Sequence, residues 1–161
     1  MEKGKIKVFF GEGHGKSDAA LGHAIHAAAQ GKEVTVIQFL KCKNESLMQM
    51  MSRLEPEIKC FRFEKRDYNY ETLSAEERQE EGMNIKNGVN YAKKVLQTGE
   101  CNMLILDEVL GLLDCGIIRW EELKPALLDR SEETEVILTG RVLNDEVREV
   151  ADEVCHIVAE K

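Results

Sequence analysis

The sequence predicts an α/β domain in which helices cover both faces of a mostly parallel sheet, a three-layer α/β/α arrangement. Three observations predict it. Strand-like and helix-like segments alternate along the whole chain, which is the pattern of right-handed βαβ crossovers. The segment Glu33 to Leu40 is nearly continuous in apolar residues after Val34, as expected of a strand covered on both faces. A glycine-rich turn, Gly11-Glu12-Gly13-His14-Gly15-Lys16-Ser17, follows directly on the first apolar run.

That first run, Ile6 to Phe10, is short, apolar and β-favouring, and reads as the first strand. Alanine and leucine then predict a helix from Lys16 to Gln30, closed by Gly31 where a helix C-terminal glycine belongs. Glu33 to Leu40 is the second strand, Glu45 to Leu54 a short helix, and the alternating Ile58 to Phe63 a third strand. A polar, tyrosine-containing loop spans Lys65 to Thr72. Ser74 and Glu77 form a capping-box pattern that opens a long helix reaching about Gln97. Met103 to Asp107 is a fourth strand, Trp120 to Leu128 a helix, Glu135 to Thr139 a fifth strand, Asp145 to Ala151 a helix and Glu153 to Val158 a last strand. The Glu76 to Glu81 charge run reads as a solvated helix face. Trp120, Phe39 and the Met48, Met50 and Met51 cluster read as core or groove lining.

At 161 residues the chain is one domain, residues 1–161, large enough to bury a core without disulfides or a structural metal. The net charge of -8 and the lack of a basic cluster argue against duplex nucleic acid as a partner. Cys42, Cys60, Cys101, Cys115 and Cys155 are odd in number and form no C-x-x-C pair, so neither a disulfide framework nor a zinc site is signalled. Free thiols suit a cytoplasmic location. The polar N-terminus is no secretory signal, and no apolar run approaches the length of a membrane span.

In an open α/β sheet, ligands bind outside the carboxyl ends of the strands. Three groups fall at such ends. The first is the glycine-rich loop. Its glycines free backbone N–H groups to surround an anion, the following helix points its positive end there, Lys16 reaches the phosphates, and Ser17 can ligate Mg²⁺. The spacing is one residue shorter than the usual G-x-x-x-x-G-K-[ST], with Phe10 where the first glycine would stand. The second group is the acidic pair Asp107-Glu108, in which Asp107 would hold the metal shell and Glu108 would orient substrate or water. The third is Arg141 in Thr139-Gly140-Arg141, which can pair with phosphate in bidentate fashion. His14 reads as a loop-tip phosphate contact. His23 and His26 could share a helix face, but no carboxylate or thiol completes a metal set, and their alanine-rich surroundings point to packing.

Taken in order, these motifs resemble those of the P-loop ATP:corrinoid adenosyltransferases, which act on cob(I)alamin or cob(I)yrinic acid a,c-diamide. Phe10 to Ala20 resembles the family's T-G-x-G-K-G-K-T-T-A-A loop, and Gly31 to Lys41 its G-K-x-V-x-V-x-Q-F-x-K. Leu104 to Glu108 followed by Leu113 to Gly116 resembles V-V-L-D-E then A-L-x-x-G, and Val136 to Arg141 followed by Ala151-Asp152 resembles V-x-L-T-G-R then A-D. The resemblance implies a RecA-like sheet, a cytoplasmic homodimer, ATP and a corrinoid as substrates, Mg²⁺ as helper, and a flavoprotein as a candidate reductant. It implies transfer of the 5′-deoxyadenosyl group of ATP to the cobalt of a reduced corrinoid, with tripolyphosphate leaving. Lys16 and Glu108 are then the candidate catalytic residues. Gly11, Glu12, Gly13, His14, Gly15, Lys16, Ser17, Asp18 and Arg141 are the candidate nucleotide-binding residues, and Ser17 and Asp107 the candidate metal ligands.

The sequence departs from the family pattern at several of these positions. His14 stands for the loop lysine, Asp18 for the second threonine, and His26 for an arginine on the first helix. Leu110 stands for the asparagine after D-E-x, Val142 for the asparagine after T-G-R, and the G-F-T-W segment has no clear match around Phe61 to Glu64. Asp18 would weaken triphosphate binding if it faced the phosphates unpaired. With few residues ahead of the first strand, any N-terminal covering segment is expected to come from elsewhere or be absent. Two other readings fit the same loop. One is a catalytically impaired paralogue that carries nucleotide or corrinoid as a regulatory module, and the other is a P-loop NTPase or small kinase.

Overall fold

A computed structural model describes residues 3–41, 44–66 and 70–161. The sheet has six strands, β1 (Ile6–Phe10), β2 (Val34–Gln38), β3 (Ile58–Arg62), β4 (Met103–Asp107), β5 (Glu135–Gly140) and β6 (Glu153–His156). They lie in the order β3-β2-β4-β5-β1-β6, and every pairing is parallel. The predicted mostly parallel sheet is thus fully parallel. Among the described residues six α-helices make the crossovers: α1 (Lys16–Ala29), α2 (Glu45–Ser52), α3 (Ala75–Thr98), α4 (Val109–Asp114), α5 (Trp120–Leu128) and α6 (Asp145–Val150).

Both faces of the sheet are covered because the strands carry apolar residues at consecutive positions. Leu104, Leu106, Val136 and Leu138 point into one core with Ile85 and Val89 of α3, Leu112 of α4, Leu123 of α5 and Val147 of α6. Their strand neighbours Met103, Ile105 and Ile137 point into a second core with Ala20, Ala24 and Ala27 of α1 and Met51 of α2. The alanines leave α1 without bulk on its buried stripe, so the helix lies close to the strands that position its N-terminus. Phe39 and Trp120 are buried, in accord with their reading as core. The methionines divide: Met51 is buried and Met50 exposed.

Two features differ from the sequence expectation. Helix α4 follows the acidic pair and was not foreseen. The charge run on α3 is not uniformly solvated, because Glu81 is buried. Its carboxylate accepts the backbone N–H of Lys65 and the side-chain amide of Asn84, at 3.2 and 2.9 Å, so the burial is compensated by hydrogen bonds. The capping box on Ser74 and Glu77 is present as expected. Cys42 and part of the Lys65 to Thr72 loop lie outside the described residues; the rest of that loop includes a single 3₁₀ turn at Tyr70–Thr72. Among the described residues no helix is long and apolar enough to cross a membrane.

The sheet order fixes the site. β1 carries the glycine-rich loop and β4 carries the acidic pair, with β5 between them. All three strands end at the same edge, so residues 11–17, 107–108 and 139–141 converge there. β2 lies on the other side of β4 in a register that pairs Gln38 with Asp107. The backbone N–H of Phe39 donates to the Asp107 carbonyl at 2.9 Å, tying the end of β2 to the acidic pair.

Candidate nucleotide and metal site

The loop owes its course to two left-handed glycines. Gly11 has φ 148°, and a Cβ there would lie 2.0 Å from the Ile157 carbonyl oxygen. Its N–H donates to the Gly140 carbonyl at 3.1 Å, which anchors the loop to the Thr139-Gly140-Arg141 segment. Gly15 has φ 108° and is the N-cap of α1, so the chain turns sharply into the helix and leaves the first N–H groups of α1 facing the sheet edge. That end of the helix attracts anions. Lys16 is the first helical residue and half-buried. Glu12, His14 and Asp18 are exposed, as is Arg141 at the end of β5.

Asp107 is the hub. It is 3% exposed, yet its carboxylate is fully engaged. The hydroxyls of Ser17 and Thr139 donate to the same carboxylate oxygen at 2.9 and 2.7 Å. The Lys41 ammonium lies 2.6 Å from the other oxygen and donates to the Ser17 hydroxyl at 2.5 Å. The Glu108 backbone N–H donates to the Thr139 hydroxyl at 2.8 Å, so one buried threonine holds both members of the acidic pair. Ser17 and Asp107, the candidate metal ligands, are joined by a direct hydrogen bond between the loop and the acid strand. Both are hard oxygen donors of the kind Mg²⁺ takes alongside substrate phosphates and water, and their present partner is a cation, so the donor set fits the ion.

Glu108 sits in the left-handed region at φ 65° as the N-cap of α4. Backbone strain of this kind clusters at functional sites. Burial raises the carboxyl's pKa above its ordinary 4.5, opposed by Lys16 and reinforced by Asp107, with Lys41 and Arg141 also lowering it. The candidate residues Lys16, Glu108 and Arg141 thus share one electrostatic field with Asp107 and Lys41. Next to them opens a cavity of about 360 Å³ whose lining includes Leu40, Tyr70, Glu108, Cys115 and Arg141.

The raised value has a thermodynamic consequence. The folded state holds the Glu108 proton more tightly than the unfolded chain, so relative stability is present below pH 4.5 and lost as pH rises through the folded value. Glu108→Gln is therefore expected to melt higher than the unaltered protein at pH 7.5, with the gap closing on acidification below 4.5. Thermal melts across that range check it, and equal or lower melting of the variant at pH 7.5 would contradict it.

Of the two histidines on α1, His23 packs and His26 does not. His23 Nδ1 donates to the Ala19 carbonyl at 2.9 Å and its ring sits 5.1 Å from that of Phe9, while His26 is exposed. Among the described residues no cluster of three or more His, Cys, Asp or Glu is placed to hold a metal ion. Sequence reasoning gave no role to Lys41, Thr139, Arg62 or Glu64. Of these, Thr139 had a visible signal, since it stands in the Thr139-Gly140-Arg141 group at the end of β5.

The chain is similar to known proteins over nearly its full length. The family model for ATP:corrinoid adenosyltransferase BtuR/CobO/CobP matches residues 2–161. The corrinoid adenosyltransferase of Escherichia coli (strain K12) is 31% identical over 156 residues, covering 97% of this chain and 77% of that protein. Corrinoid adenosyltransferase CobA of Salmonella typhimurium is 31% identical with the same coverage. Among solved structures, a KaiC-like protein from Pyrococcus horikoshii superposes with a TM-score of 0.60, covering 99% of this chain and 75% of that one. At 16% identity that likeness speaks to the fold alone, a parallel sheet with helices on both faces.

Proposed function

Because the chain belongs to the ATP:corrinoid adenosyltransferase family, we propose that it moves the 5′-deoxyadenosyl group of ATP onto the cobalt of a reduced corrinoid. The bond between Ser17 and Asp107 carries this reading, since it joins the phosphate loop and the acid strand into one site. The cobalt(I) electron pair attacks C5′ of ATP, the C5′–O bond breaks, and tripolyphosphate leaves with the bonding pair. Cobalt(I) is itself the nucleophile, so the protein's part is positioning and charge stabilisation. The N–H groups of the loop and of the first turn of α1 hold the triphosphate, Lys16 counters charge on the leaving group, and Arg141 binds it from the β5 end. Ser17 and Asp107 would hold Mg²⁺, which supplies further neutralisation of the triphosphate. Glu108 orients substrate from its place between loop and cavity. Dimerisation, a flavoprotein electron donor and a cytoplasmic location belong to the same proposal.

The test mixes purified protein with Mg·ATP and chemically reduced corrinoid. The expected products are a cobalt–carbon bond, seen in the corrinoid absorption spectrum, and tripolyphosphate. Release of phosphate or ADP instead would identify an NTPase or kinase, and binding without any product a carrier.

Asp18 bears on the strength of nucleotide binding. It is exposed in the first turn of α1, where water screens it. A charge about 4 Å away in water is worth about 1 kcal/mol, roughly a fivefold change in affinity. Asp18→Thr is therefore expected to tighten Mg·ATP binding by no more than about tenfold in calorimetric titration, with the gain fading as salt is added. Binding seen only in the variant would mean that Asp18 switches the site off.

A further inference from the structure

The lysine beside the metal ligands is held there by the fold. The turn after β2 is clamped from β3 and the residues following it. The Leu40 N–H donates to the Glu64 carboxylate at 2.7 Å. The Lys41 carbonyl accepts from Arg62 Nε and Nη2 at 3.2 and 3.0 Å. The same guanidinium also donates to the carbonyls of Glu64 and Arg66, at 2.7 and 2.5 Å. Leu40 is kept at φ 54°, a left-handed conformation that leucine adopts only when its surroundings impose it. A Cβ on Gly111 would meet the Leu40 side chain at 2.9 Å, so α4 packs closely against this turn. The result is an ammonium with two oxygen partners, Ser17 Oγ at 2.5 Å and Asp107 at 2.6 Å.

We propose that Lys41 is a tethered counter-cation that occupies the divalent-ion position of the nucleotide-free protein and must be displaced before Mg²⁺ can bind. This rests on the assignment of Ser17 and Asp107 as the metal ligands. Mg²⁺ takes oxygen ligands at about 2.0–2.1 Å in near-octahedral order. The oxygens that hold it cannot also hold an ammonium between them. Without Lys41, the Asp107 carboxylate would be a buried charge balanced only by two hydroxyls, which is costly. With Lys41 in place the site is neutralised, and a free divalent ion gains little by entering. When ATP brings its phosphates, the displaced ammonium has new anionic oxygens to pair with, so metal and nucleotide enter together. Lys41 is thus a positioning residue that makes metal binding conditional on nucleotide.

The experiment measures Mn²⁺ binding to the whole protein without ATP or corrinoid, by the electron paramagnetic resonance signal of free Mn²⁺. Lys41→Met keeps the length of the side chain and removes its charge. The expected result is at least tenfold tighter Mn²⁺ binding by Lys41→Met than by the unaltered protein. Adding Asp107→Asn to Lys41→Met is expected to abolish the gain. Lys41 is 30% exposed, and Lys41→Gln serves as the second variant if Lys41→Met folds poorly. Unchanged or weaker Mn²⁺ binding in a folded variant would overturn the proposal, and so would a gain that survives Asp107→Asn. Neither outcome depends on adenosyl transfer, which the product assay tests separately.

Discussion

Lys16→Ala is expected to lower kcat/KM for adenosyl transfer by about 10³-fold or more, the effect of removing a cation aimed at a phosphate leaving group. Such a loss corresponds to about 4 kcal/mol of transition-state stabilisation. Lys16 opens α1 directly behind the left-handed Gly15, and among the neighbouring charges it lowers the Glu108 pKa most. Its ammonium therefore acts on the region between loop and acidic pair. Triphosphate is already anionic in the ground state, and further charge gathers on it as the C5′–O bond breaks. Part of the loss should accordingly appear as weaker ATP binding and the larger part in kcat. Lys16→Arg keeps the charge with different geometry and should fall between the two. Corrinoid absorbance gives the rate and calorimetry the affinity. A loss below tenfold would remove Lys16 from the reaction.

The pieces of this site differ in how far the sequence could show them. The loop was legible because Gly11 to Ser17 states its chemistry locally, and β1 and β4 were legible because glycine or acidic residues mark their ends. Helix α4 was not. Its six residues include Gly111, and it begins from a left-handed Glu108 without a side-chain cap, so neither periodicity nor a start signal announces it. Glu81 was misread because it ends a run of mostly charged residues, while the Lys65 N–H that satisfies it comes within reach only after folding and Asn84 only once α3 forms. Lys41 was invisible as a site residue for a related reason. Its meeting with Asp107 depends on the β2–β4 register and on a clamp from Arg62 and Glu64, neither of which has a local sequence pattern. The family resemblance fixed which residues gather at the sheet edge. It did not fix which of them bond to one another.

Asp107→Asn is expected to cut adenosyl transfer by about 10²–10³-fold and to lower the melting temperature together. The amide is nearly isosteric, so the loss is one of charge and hydrogen-bond sense. Its oxygen can still accept from Ser17 and Thr139, but its NH₂ would face the Lys41 ammonium, which now lies 2.6 Å from a carboxylate oxygen. Two donors at that separation repel, and Lys41 must turn away. Because Lys41 is 30% exposed, it can reach water, and the full penalty of an orphaned buried ion does not apply. The loss of one charged hydrogen-bonded contact is worth about 1.5–3 kcal/mol, or roughly 3–12 °C for a domain of this size. Asp107→Ala should cost more, since it also strands the hydroxyls of Ser17 and Thr139 and releases the Glu108 backbone from its threonine anchor. If Asp107→Asn melted lower yet transferred adenosyl at the unaltered rate, Asp107 would be a structural hub only, and the ion would have to be held by Ser17 with the substrate phosphates. If both fall, the same carboxylate stabilises the nucleotide-free fold through Lys41 and serves the nucleotide-bound state through the metal.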